Sequence, residues 1–287
     1  MSGPGDGVLV WLDGALTTAA EARISPFDHG MLVGDGVFET LVAVDGVPFA
    51  WTRHYRRLVQ SASALGFEPP DSESLLDATR QVLGGNDLNQ GAARVRVTIT
   101  SGPGPLGSDR GEQGVTALVA ATVQQPFPPT TDVVIAPWPR NERGALVGLK
   151  TTSYAENARA MAYAKERGGG EAIFANTQGN LCEGTGTNVY VVSGGEVVTP
   201  PLSAGCLDGV TRQLLLEASV TVGVTIREQD VPVAALADAD EAFLSSSTRG
   251  AQPIAHVDGR ALPIAPGQLT EKLAAAYAEL AAGNPDP

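Results

Sequence analysis

LCEGTGTNVYV (Leu181–Val191) sets an acid, two glycines and an asparagine between two apolar, strand-forming stretches. The chain leaves a strand at Glu183, passes the glycines and re-enters a strand with Asn188. An acid so placed can accept a hydrogen bond from a protonated ring nitrogen and hold that ring cationic. Downstream, GVTR (Gly209–Arg212) opens a helix, and the unpaired N–H groups of a helix start bind phosphate. SSST (Ser245–Thr248) is a hydroxyl-rich turn after a strand, a second phosphate contact.

Upstream lies an amine. The chain has only three lysines, Lys150, Lys165 and Lys272. Lys165 and Lys272 sit in AYAKERG and TEKLAAAY, beside other charges on helices, where solvent takes them. Lys150 follows an apolar run in ALVGLKTTSY (Ala145–Tyr154). A charged lysine is costly to bury there unless its pKa falls or it finds a covalent partner. The plainer alternative is a strand-end lysine reaching solvent. Arg57 adds a guanidinium fork suited to phosphate. An amine, a carboxylate and several phosphate donors are together what pyridoxal phosphate requires.

The surrounding pattern is mixed α/β. Val8–Leu12 reads as a short strand, and Phe38–Val44 as another ended by Asp45-Gly46. Helices are expected over Thr52–Leu65 and Asp71–Leu83, the second capped by Asp71 or Ser72. Ala93–Thr100 (ARVRVTIT) alternates as a half-buried strand does, and Val115–Val123 is a continuous apolar strand. QPFPPT, residues 125–130, holds three prolines and reads as a linker. Beyond it come a strand over Asp132–Trp138, a helix over Tyr154–Arg167 closed by glycines, and strands over Glu171–Ala175 and Thr187–Val192. A helix over Gly209–Val222, short strands over Thr225–Arg227 and Glu241–Ser245, and a helix over Gln268–Ala281 complete the chain. Residues 283–287 are expected to fray. This predicts a small N-terminal α/β domain, residues 1–124, and a larger one, residues 131–287.

With 287 residues, 43% of them apolar and 18% charged, the chain can bury a sizeable core and is not disordered. No run of 18 apolar residues occurs, so no membrane partner is expected. A net charge of −13 opposes nucleic-acid binding. MSGPGDGVLVWLDG does not read as a secretory signal, and two cysteines make no disulfide framework. The cytoplasm is the expected compartment. His29, His54 and His256 form no i, i+4 pair, and no metal site is expected. GPGPLG (Gly102–Gly107) matches GxGxxG literally. Its two prolines and the lack of a following helix make it an exposed loop and not a dinucleotide site. No GxSxG nucleophile elbow is present.

In order and spacing, these motifs resemble the fold-type IV, class IV pyridoxal-phosphate family of branched-chain aminotransferases, D-amino acid aminotransferases and aminodeoxychorismate lyases. The resemblance spans nearly the whole chain. GDGVFET (Gly34–Thr40) is similar to the family's N-terminal active-site strand. HYRRL matches HxxRL, whose arginine binds phosphate, which implies that role for Arg57. GLKTTSY matches the segment of the Schiff-base lysine, Lys150, with Tyr154 at an aromatic position near the cofactor. EGTGTN matches EGxxxN, hence Glu183 at the ring nitrogen. GVTR matches GITR, hence the backbone of Val210 and Thr211 at the phosphate, with Ser247 and Thr248 in the last phosphate turn. The resemblance implies a two-domain fold with the cofactor in the cleft, a homodimer, and transamination between an amino acid or amine and a 2-oxo acid. Lys150 would be both the attachment point and the base.

The sequence departs from the family at the substrate end. D-amino acid aminotransferases trap the α-carboxylate with a tyrosine in GDGVYE and an Arg-x-His in the loop after the following strand. Here Phe38 replaces the tyrosine, and Leu106 and Ser108 stand near the arginine and histidine positions. Carboxylate binding would then be weak or fall to another group such as Arg94, Arg96, Arg140 or Arg249. Substrate recognition is expected to be relaxed, admitting D-amino acids and some R-amines. RNERGALVGLK (Arg140–Lys150) resembles the corresponding run of aminodeoxychorismate lyases, so elimination of pyruvate to give 4-aminobenzoate is the alternative. A non-catalytic scaffold of this fold would lack the lysine or glutamate, and both are present.

Overall fold

The alternation in ARVRVTIT is the clearest local determinant of the first sheet. In a computed structural model, which describes residue 5 and residues 7–287, it forms a strand over Ala92–Thr100 with Val95, Val97 and Ile99 wholly buried. Part of MSGPGDGVLVWLDG, where the lack of a secretory signal was read, lies outside the described residues.

The chain divides into two compact units. The first runs through Gln125 and includes Leu149–Tyr154 and Asp286. It contains β1 (Leu9–Leu12), β2 (Ala15–Thr18), the one-turn α1 (His29–Leu32), β3 (Gly36–Val44) and β4 (Val47–Pro48). There follow α2 (Trp51–Leu65), α3 (Ser72–Gly85), β5 (Ala92–Thr100) and β6 (Thr116–Val123). The strands form one antiparallel sheet in the order β2-β1-β6-β5-β3-β4. α2 and α3 cover one face, burying Leu58, Leu75 and Val82 against Val37, Leu41, Val95 and Val119. Asp71 caps α3 by accepting from the Ser74 N–H at 2.9 Å.

The second unit comprises Pro126–Gly148, Ala155–Pro285 and Pro287. Its elements are β7 (Thr131–Ile135), α4 (Ala155–Lys165), β8 (Glu171–Ala175), β9 (Leu181–Gly184), β10 (Asn188–Ser193) and β11 (Glu196–Thr199). After a 3-10 turn come α5 (Val210–Thr221), β12 (Ile226–Glu228) and, past another, β13 (Glu241–Ser246), β14 (Gly250–Val257), β15 (Arg260–Ala261) and α6 (Gln268–Gly283). The sheet order is β12-β11-β10-β13-β14-β7-β8-β9, with β15 on β14. Three pairings are parallel, β11 with β12, β14 with β7 and β7 with β8. One face packs α4 against Val134 and Phe174, and α5 and α6 pack against Tyr190 and Phe243, whose rings stack at 4.3 Å. This is the mixed α/β architecture expected from the sequence.

Two local expectations need correction. β14 was not anticipated, because GAQPIAHV holds a glycine and a proline that weaken a strand reading. The tail does not simply fray. The Asp286 carboxylate accepts from the Thr52 N–H at 2.9 Å and from its hydroxyl, and the Asn284 N–H donates to the Leu280 carbonyl at 3.2 Å.

Candidate active site

In the first unit the site is built on β3. Successive strand residues face opposite ways, so Phe38 and Glu39 serve different surroundings. The segment around Lys150 runs alongside β3 as an added edge. The Phe38 N–H donates to the Lys150 carbonyl at 3.0 Å, the Thr152 N–H donates to the Gly36 carbonyl at 2.8 Å, and Val37 and Thr151 form a bridge. The Lys150 N–H donates to the Ser61 hydroxyl of α2 at 3.1 Å. Gly36 is required here, because a Cβ would lie 2.8 Å from the Ile99 carbonyl oxygen. The backbone is therefore pinned from both sides and the half-buried side chain is aimed. Lys150 Nζ lies 4.5 Å from the Phe38 ring centroid, and Tyr154 meets the same ring edge-on at 5.3 Å.

Arg96 packs on the same Phe38 ring. Its guanidinium stacks 3.7 Å from the Phe38 centroid, and its Nε donates to the Thr98 hydroxyl at 3.1 Å. Phe38 pairs with Thr98 across the strands, which makes Arg96 its diagonal neighbour. Burial lowers the Arg96 pKa while Tyr154 opposes it, and the group stays a cation. Among the described residues it has no carboxylate partner. The three other candidate arginines are engaged. Arg94 donates to Gln124 at 2.9 Å. Arg140 reaches Glu156 at 2.6 Å and Glu183 at 3.5 Å. Arg249 reaches Glu171 at 3.2 Å.

Arg57 is gripped by a residue that sequence reasoning passed over. Its Nε donates to Glu39 Oε1 at 2.8 Å and its Nη2 to Oε2 at 2.7 Å, while His54 Nδ1 donates to Oε2 at 2.7 Å. Glu39 and His54 are each 1% exposed and Arg57 8%. Burial works against the Glu39 charge, yet Arg57 and His54 prevail and hold its pKa at about 2. Burial pushes the His54 pKa down, Glu39 opposes this, and Arg57 and Lys150 add to burial. The signal was available in the sequence. In the alternating run Val37, Glu39, Leu41, an acid occupies an inward position that faces α2. Leu106 and Ser108 lie exposed in the loop after β5, Leu106 at 76%. That loop is tied back by His29 Nε2, 2.8 Å from the Pro105 carbonyl oxygen.

The second unit carries the remaining candidates. The Glu183 carboxylate is only 14% exposed, accepts from the Leu207 N–H at 2.9 Å and faces Arg140. Arg140 in turn stacks on Phe174 at 4.3 Å, which fixes the acid's orientation. Val210 and Thr211 begin α5, whose cap residue Gly209 offers no side-chain bond. Their N–H groups thus retain the polarity that favours an anion. Gly209 is a close approach: a Cβ there would lie 2.1 Å from Asn188 Oδ1. Asn188 also donates to the Leu207 carbonyl at 2.8 Å, so it joins Glu183's neighbour to the start of α5. Ser247 and Thr248 occupy the turn between β13 and β14, half-buried. The first unit carries a held lysine amine and the second a shielded carboxylate, an open helix start and a hydroxyl turn, each by its own chemistry a kind of group that suits pyridoxal 5′-phosphate.

Residues 36–257 match the family model described as amino-transferase class IV, and the chain belongs to that family. A Methanocaldococcus jannaschii protein named as a branched-chain-amino-acid aminotransferase is 31% identical over 274 residues, covering 92% of this chain and 93% of its own. An aminodeoxychorismate lyase of Bacillus subtilis is 30% identical over 277 residues, covering 94% and 93%. A D-alanine aminotransferase of Staphylococcus haemolyticus is 27% identical over 252 residues, covering 87% and 89%. Among solved structures, the branched-chain aminotransferase of Thermoproteus uzoniensis with norvaline superposes with a TM-score of 0.89 at 28% identity, covering 96% of this chain and 95% of its own. The chain is therefore a fold-type IV enzyme of the pyridoxal-phosphate class, and its named relatives divide between transamination and the lyase reaction.

Proposed function

We propose that this chain is an aminotransferase that moves an amino group between an amino acid and a 2-oxo acid, taking D-amino acids and some R-amines. The observation that carries the reading is Arg96, a cation without a carboxylate partner among the described residues, stacked on the ring that also borders the Lys150 amine. It offers a substrate carboxylate the charge that the absent Arg-x-His pair supplies in the D-amino acid enzymes. Pyridoxal 5′-phosphate, when bound, supplies the electron sink that stabilises a carbanion at the substrate's α-carbon.

The chain's residues do the rest. Lys150 Nζ would hold the cofactor and, as a free amine, would take up and give back the substrate's α-proton. Glu183, braced by Arg140, keeps the ring nitrogen protonated. Tyr154, packed edge-on to Phe38, would stand beside the cofactor. Arg57, fixed by Glu39, the N–H groups of Val210 and Thr211, and the hydroxyls of Ser247 and Thr248 bind the phosphate. Phe38 floors the substrate position, and Leu106 and Ser108 edge it. The exposed apolar side chains of Phe27, Met31 and Val33 support a homodimer. The free thiols of Cys182 and Cys206 support a cytoplasmic setting.

The second reading, pyruvate elimination from aminodeoxychorismate, rests on the Bacillus subtilis relative and on the run from Arg140 to Lys150. The deciding experiment is an absorbance scan of the cofactor-loaded chain after adding D-alanine or L-glutamate. Conversion to pyridoxamine phosphate with D-alanine, with matching release of pyruvate, is the expected result. No conversion with either amino acid, together with 4-aminobenzoate formed from aminodeoxychorismate, overturns it in favour of the lyase.

A further inference from the structure

Glu171, the first residue of β8, is a carboxylate only 1% exposed and outside every motif quoted above. Its Oε1 accepts from the Thr185 N–H at 3.1 Å and from the Thr185 hydroxyl. Its Oε2 accepts from the Thr187 hydroxyl at 3.5 Å and from Arg249 Nη2 at 3.2 Å. Gly184 packs against it so closely that a Cβ there would lie 3.1 Å from Glu171 Cγ and 2.1 Å from the Thr187 hydroxyl oxygen. Thr185 and Thr187 form the turn between Glu183 and Asn188. Arg249 ends the turn of Ser247 and Thr248, and its Nη1 donates to Gln252 at 2.9 Å. One buried acid thus reaches both turns.

We propose that Glu171 is a positioning residue that locks the turn bearing the phosphate hydroxyls to the turn that follows Glu183, and so sets the distance between the cofactor's phosphate and ring-nitrogen contacts. The proposal rests on the cofactor assignment above. A buried carboxylate needs its donors, and here the donors come from the two loops that leave the β10–β13 ladder beyond its last pair, Asn188 with Ser245. Backbone amide, hydroxyl and guanidinium saturate its oxygens, so neither loop can shift alone without leaving a buried charge short of a partner. This also explains why a glycine follows Glu183: only a residue without a Cβ lets the strand close over the carboxylate.

The test compares wild type with Glu171→Gln by titrating each full-length chain with pyridoxal 5′-phosphate and with pyridoxal, which lacks the phosphate. Thermal melting is recorded alongside. The expected result is a fall of about tenfold or more in the ratio of the two affinities, worth about 1.4 kcal/mol. The pH midpoint of the bound cofactor's absorbance should shift with it. A purely structural role lowers the melting temperature and leaves the ratio and the midpoint at wild-type values, and that outcome overturns the proposal. Thr185→Val removes one hydroxyl at nearly constant volume and decides the matter if Glu171→Gln does not fold. It is expected to move the ratio and the midpoint the same way by a smaller factor, and wild-type values for both overturn the proposal. If wild type itself takes up no pyridoxal 5′-phosphate, the cofactor reading fails and this one with it. If wild type binds and both variants match it, only this one fails.

Discussion

Arg96 and Glu39 stand on neighbouring strands and face opposite ways, and each has one chemical duty that a single substitution exposes. Arg96→Ala would remove the charge-assisted contact proposed for the substrate carboxylate, worth about 1.5–3 kcal/mol. The KM for an amino acid should rise about tenfold or more while turnover of an R-amine is unchanged, as steady-state kinetics with both substrates would show. Glu39→Gln leaves the Arg57 guanidinium buried without its anion. Removing one partner of a buried pair costs about 3–5 kcal/mol, to be read as a lower denaturation midpoint. The pH dependence has a definite sign. The Glu39 pKa falls from 4.5 in the unfolded chain to about 2 in the folded one. The unfolded state therefore binds more protons in that window. The stabilisation is complete above about 4.5 and is lost as the pH falls toward about 2. Acid titration of wild type should show this loss, and Glu39→Gln should flatten that limb. His54 is shifted downward too, so its share is present above 6.5 and declines as the pH drops below that value.

Among the elements, α5 is the one whose beginning matters more than its length. Gly209 sits in ordinary extended geometry with φ −66°, so its need for glycine is spatial and not conformational. Gly209→Ala places a Cβ against Asn188 Oδ1, and the amide must swing away from the Leu207 carbonyl. Losing that bond costs about 1 kcal/mol. Calorimetry should show a melting temperature lower by a few degrees, and titration a weaker hold on pyridoxal 5′-phosphate. The short elements also show where sequence reading stops. β5 was legible because eight residues, Ala93–Thr100, alternate without interruption, and α3 because Asp71 announces its start. β9 and β11 have only four residues each, too few to separate a strand from a turn by periodicity. The strand of Pro253 is held by its neighbours β13 and β7 and not by its own propensity.

The molecule as a whole is two sheets with separate cores, and the cofactor is expected to stabilise the folded state. A ligand present at 100 times its dissociation constant adds about 2.7 kcal/mol to the folded state. Removing pyridoxal 5′-phosphate by dialysis should lower the melting temperature, and adding it back should restore the loss in proportion to the logarithm of its concentration. Lys150→Ala should show a much smaller restoration, because the amine proposed to attach the cofactor is gone.

The family was readable in the chain itself, and so were the motifs on which the proposed site rests. They are local words: an acid before glycines, a helix start, a hydroxyl turn. So were the strands and helices long enough to show a period. Which arginine lacks an acid, which acid grips Arg57, and which buried carboxylate holds two turns together were decided only by the tertiary structure. Glu39 meets Arg57 because β3 lies under α2, and Glu171 meets Arg249 across 78 residues of chain. Partnerships of that reach depend on strand order and register. Neither is encoded in the propensities of the residues that form them.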